Sequence, residues 1–262
     1  MLAVLSPAKS LDESPTPFAV RSTQPAMMKD AESLMKTARG LTQKAIGELM
    51  KISPELAKLN YDRYRSYELP FTDDNALPSA MMFDGDVYKG LDARSLKEAD
   101  LEWAQDHLAI LSGMYGFLRP LDLIQPYRLE MGTRLKTRRG KNLYAFWGDA
   151  ITDHINGQLE SHEDPTLVNL ASGEYFKSVR PKKLKGPLLE IRFEDWKDDA
   201  RTPNVISFLA KRARGAMARY LIENRLERAE QLKAFDVDGY AFQADRSSDE
   251  QYVFGRPFVP AS

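Results

Sequence analysis

The 262-residue chain contains no cysteine. That absence excludes disulfide frameworks, thiolate zinc sites, iron–sulfur clusters and any peroxidase cycle that runs through a sulfenic acid. Histidine is nearly as scarce, with only His107, His154 and His162 present. None stands in Glu-x-x-His or His-x-x-x-His spacing, and Asp106–His107 is a single adjacent pair, so no histidine metal site is expected. What remains for a metal is a carboxylate-only iron site from Asp84, Asp86 and Glu130, set against the commonness of unliganded surface acids. No G-x-S-x-G, P-loop or G-x-G-x-x-G occurs, and Tyr175 and Lys177 lie too close for a Tyr-x-x-x-Lys pair, so no triad and no cofactor are expected. No apolar run approaches the ~20 residues that span a bilayer. MLAVLSPAKS also lacks the basic start and long apolar centre of a signal peptide. A cytoplasmic protein without a membrane partner is the expectation.

The chain does have a large apolar fraction, 43%, enough to bury a sizeable core. Its ten methionines are read as core filler. The formal net charge of -1 hides segregation. From Pro126 to Lys141 the bases Arg128, Arg134, Lys136, Arg138, Arg139 and Lys141 oppose only Glu130, and Lys177–Lys185 holds five bases and no acid. Either run alone reads as a solvated charged loop; their convergence in space would make an anion-binding surface.

Periodicity gives a mixed α/β (α+β) fold, one compact domain over 1–262 with a central mixed sheet surrounded by helices. Residues 2–5 read as a strand. Residues 24–67 read as helices broken at Gly40 and at Ser53-Pro54. A further helix over 95–107 has Ser95 as N-cap and Glu98 completing a capping box. Residues 142–160 read as one helix. Strands are expected at 166–171, 187–193, 203–208 and around 235–242, so the sheet is assembled late in the chain. After Ser207 an amphipathic helix sets Ala210, Ala213, Met217, Tyr220 and Leu221 on one arc, with Lys211, Arg212, Arg214, Arg219 and Arg225 opposite.

Two regions read as ligand-facing. LSGMYGFLRPLDLIQPYRLEMGTRL at 111–135 mixes Gly, Pro, Tyr and Arg in a way unsuited to a core helix, and Arg119, Arg128 and Arg134 supply planar forks for carboxylate or phosphate. Asn169, Ser172, Glu174, Tyr175 and Lys177 follow a strand, where open α/β sheets place ligands. The SPAK turn adds the Ser6 hydroxyl and the Lys9 ammonium beyond the first strand. The expected cleft holds Lys9, Tyr115, Arg119, Tyr127, Arg128 and Glu130, together with Asn169, Ser172, Tyr175 and Lys177. An enzyme acting on a small anionic or nucleotide-like substrate is one function such a cleft allows.

FDGDVYKGL at 83–91, the 111–135 segment, LYAFWGDAIT at 143–152, NLASGEYFKSVRPKK at 169–183 and ISFLAKRARGAMARYLIENR at 206–225 follow one another in this order. With LSPAKSLD at 5–12 and GYAF at 239–242, they make nearly the whole chain resemble the YaaA-type bacterial peroxide stress resistance family. The resemblance implies a cytoplasmic protein induced by hydrogen peroxide, linked to lower free intracellular iron and less oxidative DNA damage, and able to bind DNA. Residues 42–67, two short helices meeting at Ile52-Ser53-Pro54-Glu55, are similar to a helix-hairpin-helix that grips a phosphate through backbone amides. The usual hairpin glycines are absent, and Pro54 has no amide hydrogen to give. On this reading the partner is double-stranded or distorted DNA, bound without sequence preference. Its phosphates would meet Lys51, Lys58 and Arg63 on the hairpin. Arg138, Arg139, Lys182 and Lys183 would contribute from the basic runs, and Lys211, Arg212, Arg214 and Arg219 from the amphipathic helix.

Overall fold

LAVL at the N-terminus and LAIL at 108–111 are unbroken apolar runs without alternation, the pattern of strands covered on both faces. In the computed structural model, which describes residues 1–196, 202 and 204–258, both runs lie at the centre of the sheet with every residue buried. In chain order the strands are β1 (Leu2–Leu5), β2 (Ser10–Leu11), β3 (Leu77–Pro78), β4 (Phe83–Asp84), β5 (Leu108–Ser112), β6 (Gly116–Leu118), β7 (Leu123–Ile124), β8 (Leu167–Asn169), β9 (Leu188–Trp196), β10 (Ala241–Phe242) and β11 (Gln251–Pro257). Seven form the main sheet in the order β10-β11-β9-β8-β1-β5-β6, and β2-β4 and β3-β7 are small separate ladders. The five inner strands run parallel, and β6 and β10 close the edges antiparallel. From β1 the chain crosses to β5 on one side, then returns past β1 to β8, β9 and β11 on the other. The loops leaving the adjacent strands β1 and β8 therefore diverge, which makes this the topological switch point.

Helices surround this mostly parallel sheet, as the sequence predicts for the class. Helices Met28–Arg39, Gln43–Met50 and Pro54–Ser66 stop where the chain was expected to break. Thr42 caps the second by accepting from the Ala45 amide, Ser53 caps the third by accepting from the Leu56 amide, and Pro54 takes the first helical turn where its missing N–H costs nothing. Other boundaries differ. The fifth-strand region begins with helix Glu98–His107, whose cap is Lys97 with Asp100, while Ser95 lies in a preceding 3-10 turn. The expected 142–160 helix is two, Leu143–Trp147 and Ala150–Leu159, because Gly148 between them takes positive φ. Of the strand expected at 203–208, Asn204 makes an isolated bridge to Asp195 and Ser207 already opens helix Ser207–Glu223; residue 203 lies outside the described residues. The sheet is also not a late assembly, since β1 and β5 sit at its middle.

Helix Ser207–Glu223 crosses helix Asp86–Leu91 at a pair of glycines. A Cβ on Gly215 would strike the Val87 carbonyl oxygen, and one on Gly90 would strike the Arg212 carbonyl oxygen. Backbone meets backbone here, and only glycine on both helices allows it. The same crossing buries more of the long helix than a single apolar arc: Gly215, Ala216, Ala218 and Ile222 are buried besides Ala210, Ala213, Met217 and Leu221.

At the far end of β1, the Met1 amine donates to His162 Nδ1 at 3.0 Å and to the Glu227 carbonyl at 3.1 Å. His107 lies 3.2 Å from the Met1 carbonyl oxygen, stacks on Trp103 and meets the His162 ring edge-on at 4.8 Å. Burial lowers both histidines below their usual 6.5; for His162 the nearby amine and His107 add to it, and Asp106 opposes. A base with a lowered folded pKa declines protons that the unfolded chain accepts. The stability it confers is full above pH 6.5 and is lost as pH falls toward the folded values. Urea unfolding at pH 7.5 and pH 5.5 is therefore expected to show a smaller acid loss for His162→Gln than for the parent; an equal loss would remove His162 from the account. Among the described residues no helix is long and apolar enough to cross a membrane.

Candidate functional site

A cavity of about 270 Å³ opens at the switch point. Its floor is the pair of loops leaving β1 and β8, stitched by one hydroxyl: the Ser172 amide donates to Ser6 Oγ at 2.8 Å, and Ser6 Oγ donates to Ser172 Oγ at 3.2 Å. Tyr88, from helix Asp86–Leu91, donates to the Ser6 carbonyl at 3.1 Å. Asp84, Gly85 and Asp86, beside Ala8, form one part of the lining, and Lys211 and Arg214 form another. The glycine crossing brings those two parts together.

Carboxylates are fixed around the rim. Glu130 Oε1 takes Lys9 at 3.3 Å and Arg128 at 3.1 Å. Glu174 Oε1 accepts from the Gly132 amide at 2.9 Å, and its carbonyl accepts from Tyr144 at 2.9 Å. Beneath the Arg214 wall, Asn169 Nδ2 donates to Glu190 Oε2 at 2.7 Å across the β8–β9 pair. Burial raises the Glu190 carboxyl above the usual range, opposed by the Asn169 bond and Arg214. Arg214 itself makes no hydrogen bond or ion pair among the described residues, and its Nε is buried without an acceptor. Tyr175, also lining the cavity, is pushed well above its ordinary pKa by burial and serves as a neutral wall.

Of the expected cleft, Lys9, Glu130, Ser172 and Tyr175 line this cavity. Asn169 lies under it through Glu190, and Arg128 backs Glu130. The remaining four lie elsewhere. Tyr115 and Tyr127 are core residues, 0% and 4% exposed, with hydroxyls bound to the Gln125 backbone and to Ser112. Arg119 holds the fully buried Asp122 at 3.2 Å, and Lys177 stands outside over the Tyr144 ring. The 111–135 segment is thus the end of β5, then β6, β7 and largely buried turns, because Tyr115, Tyr127 and Arg119 find internal partners that remove the cost of burial. Glu174, from the same expected stretch after β8, lines the cavity too, and Asp84, Asp86, Lys211 and Arg214 complete the site from two segments that the helix crossing brings together.

A second depression, about 610 Å³, adjoins the first and shares Lys9, Glu130 and Glu174 with it. It runs to Met50 and Lys51 at the turn between the 43–50 and 54–66 helices, and to Arg134. Lys51 holds positive φ, and the amides of Lys51 and Ile52 both donate to the Gly47 carbonyl. Those amides, like the Leu56 amide given to Ser53, are not available to a phosphate. The hairpin therefore offers the Lys51 side chain rather than a backbone cradle.

Along the neighbouring extended chain, Met131, Thr133 and Leu135 are buried while Arg134, Lys136 and Arg138 are exposed. The two-residue alternation puts Arg134 and Lys136 on one side about 7 Å apart, and Arg138 follows in the tight turn closed by the Thr137–Gly140 backbone pair. None of the three has an ion pair among the described residues, and the same holds for Lys51, Lys182 and Lys211. Other basic residues are partnered: Lys58 with Asp62 (2.6 Å), Arg63 with Glu13 (2.5 Å), Arg139 with Asp30 (2.6 Å), Lys183 with Asp149, Arg212 with Asp238 (3.7 Å) and Arg219 with Glu223 (2.8 Å). The expected basic stripe on helix Ser207–Glu223 is therefore divided among separate contacts. Among the described residues no group of three or more His, Asp or Glu side chains is placed to hold a metal ion, Asp84, Asp86 and Glu130 included.

Residues 1–246 match the family described as peroxide stress protein YaaA. A UPF0246 protein of Paraburkholderia phytofirmans is 53% identical over 99% of this chain and 100% of its own length. UPF0246 proteins of Azoarcus and Saccharophagus degradans are 54% and 52% identical, each over 98% of this chain and 99% of its own. The chain belongs to the peroxide stress protein YaaA family.

Proposed function

We propose that the protein serves the peroxide stress response, in the cytoplasm, by binding double-stranded or distorted DNA without sequence preference and so limiting oxidative damage to it. The observation that carries this reading is the row Arg134, Lys136, Arg138, exposed and without ion pairs, adjoining the groove that leads to Lys51. Neighbouring exposed cations without carboxylate partners release counterions from a phosphate backbone, whereas a cation already held by a carboxylate contributes less. Lys58, Arg63, Arg139, Lys183, Arg212 and Arg219 accordingly play a lesser part. Binding of this kind reads charge and shape and leaves base edges untouched.

Fluorescence anisotropy on a labelled duplex over a salt series tests it. Replacing Arg134, Lys136 and Arg138 together by Gln is expected to flatten the slope of log affinity against log salt by about 2–3, at ~0.9 per phosphate contact. Lys58→Gln, which removes a paired cation, is expected to change the slope by less than about 1. A triple variant that keeps the parental slope defeats the proposal.

A further inference from the structure

The switch-point cavity has a charge pattern that a nucleic-acid backbone does not match. Its lining carries Lys9, Lys211 and Arg214 but also Asp84, Asp86, Glu130 and Glu174. A ligand that is only anionic would meet more repulsion than attraction here. Lys9 is already engaged by Glu130, which leaves Lys211 and Arg214 as the cations without a carboxylate of their own among the described residues. Glu190, the acid nearest Arg214 in effect, is tied by Asn169 and does not pair with it. Arg214 is thus a guanidinium sunk into a cavity wall, held by packing and lacking a fixed acceptor. Its Nε is covered, and the remaining guanidinium nitrogens, accessible and without a protein acceptor among the described residues, are the ones an anion can reach.

The acids Asp84 and Asp86 also line the cavity, flanking Gly85, which packs against Ala8. Carboxylates in a partly enclosed wall accept hydrogen bonds and favour ligand hydroxyl or amino groups. The cavity's volume lies just under the ordinary range for small-molecule sites, about 300–1,000 Å³. Its location, outside the carboxyl ends of parallel strands where the strand order reverses, is where open α/β sheets bind ligands.

We propose that this cavity binds a small phosphomonoester of nucleotide-monophosphate size, its phosphate on Arg214 and Lys211 beside the Ser172 hydroxyl and its hydroxyl or amino donors on Asp84 and Asp86. This site is separate from the Arg134–Arg138 row, and it holds a free small molecule rather than a strand.

Isothermal titration calorimetry of the full chain, without DNA, against adenosine 5′-monophosphate, inorganic phosphate and adenosine tests the assignment. The monophosphate is expected to bind at least about tenfold more tightly than either fragment, because only it engages both walls. Arg214→Lys, which removes the planar fork, is expected to weaken the monophosphate by about tenfold or more. Asp86→Asn is expected to weaken the monophosphate while leaving inorganic phosphate unchanged. Because Arg214 is partly buried, Lys211→Gln on the exposed side of the same wall serves as the second variant, with a several-fold loss expected. Circular dichroism and thermal melting confirm that each variant is folded. No heat with the monophosphate at millimolar concentration, equal affinity for phosphate and monophosphate, or unchanged affinity in both folded Arg214→Lys and Lys211→Gln would overturn the proposal. The Arg134, Lys136, Arg138 triple variant is expected to bind the monophosphate as the parent does, so failure of the DNA reading and failure of this one are read separately.

Discussion

Gly215→Ala is expected to lower the melting temperature by about 10 °C or more, the largest effect of any single methyl group added to this protein. The new Cβ would lie inside contact distance of the Val87 carbonyl oxygen and 2.8 Å from the Leu91 nitrogen, so backbone, not a side chain, would have to yield. Inserting a methylene into a tight core commonly costs ~1–3 kcal/mol, and more where rigid elements must separate. At about 2–4 °C per kcal/mol for a chain of this size, a loss of about 4 kcal/mol gives the stated shift. Because Gly215 adjoins Arg214 and Val87 adjoins Asp86, the separation would also widen the switch-point cavity. The control is Gly157→Ala, exposed within helix Ala150–Leu159 and with nothing near its Cβ. That change is expected to stabilise by about 0.5–1 kcal/mol through helix propensity. Calorimetric melting of the two variants decides: a Gly215→Ala protein melting within about 3 °C of the parent would show that the helix crossing is not the rigid contact described.

Arg256→Met is expected to cost about 3–5 kcal/mol, the penalty of leaving a buried charge without its partner. Asp195 on β9 and Arg256 on β11 are direct register partners, and Asp195 is 0% exposed. Arg256 Nε donates to Asp195 Oδ1 at 2.8 Å, Tyr240 donates to Oδ2 at 3.1 Å, and a second guanidinium nitrogen reaches the Asp238 carbonyl at 2.6 Å. One arginine therefore fixes the β9–β11 pairing and the turn before β10 together. Adding Asp195→Asn to Arg256→Met removes the stranded charge and is expected to restore part of the loss. A single variant within about 1 kcal/mol of the parent in urea unfolding would reclassify the pair as an ordinary surface bridge.

The helices from Met28 to Ser66 were legible because their ends carry local chemistry: Thr42 and Ser53 cap with their own hydroxyls, and Pro54 sits where proline fits. β5 and β6 were not legible as core strands because polar residues of the 111–135 segment, such as Tyr115, Tyr127 and Arg119, suggested a surface. Their satisfaction by Gln125, Ser112 and Asp122 is visible only once the segment is folded. Lys9, Ser172 and Tyr175 could be assigned to the site from their position after strands. The Asp84–Asp86 and Lys211–Arg214 walls could not, since they meet through glycines 125 positions apart, Gly90 and Gly215. Counting cations along the chain also overstated the basic surface. Arg63 is neutralised by Glu13 and Arg139 by Asp30, partners far outside any window of local charge. The alternation from Met131 to Lys136, in contrast, is a local pattern, and it marks the exposed Arg134 and Lys136 without reference to the rest of the molecule.

Glu130 borders both depressions and shares a single oxygen between Lys9 and Arg128. A guest in either recess that drew Lys9 away would alter the field felt by an occupant next door, and the thermodynamic influence would be equal in both directions. Two ligands meeting at this wall would thus report on each other without ever touching.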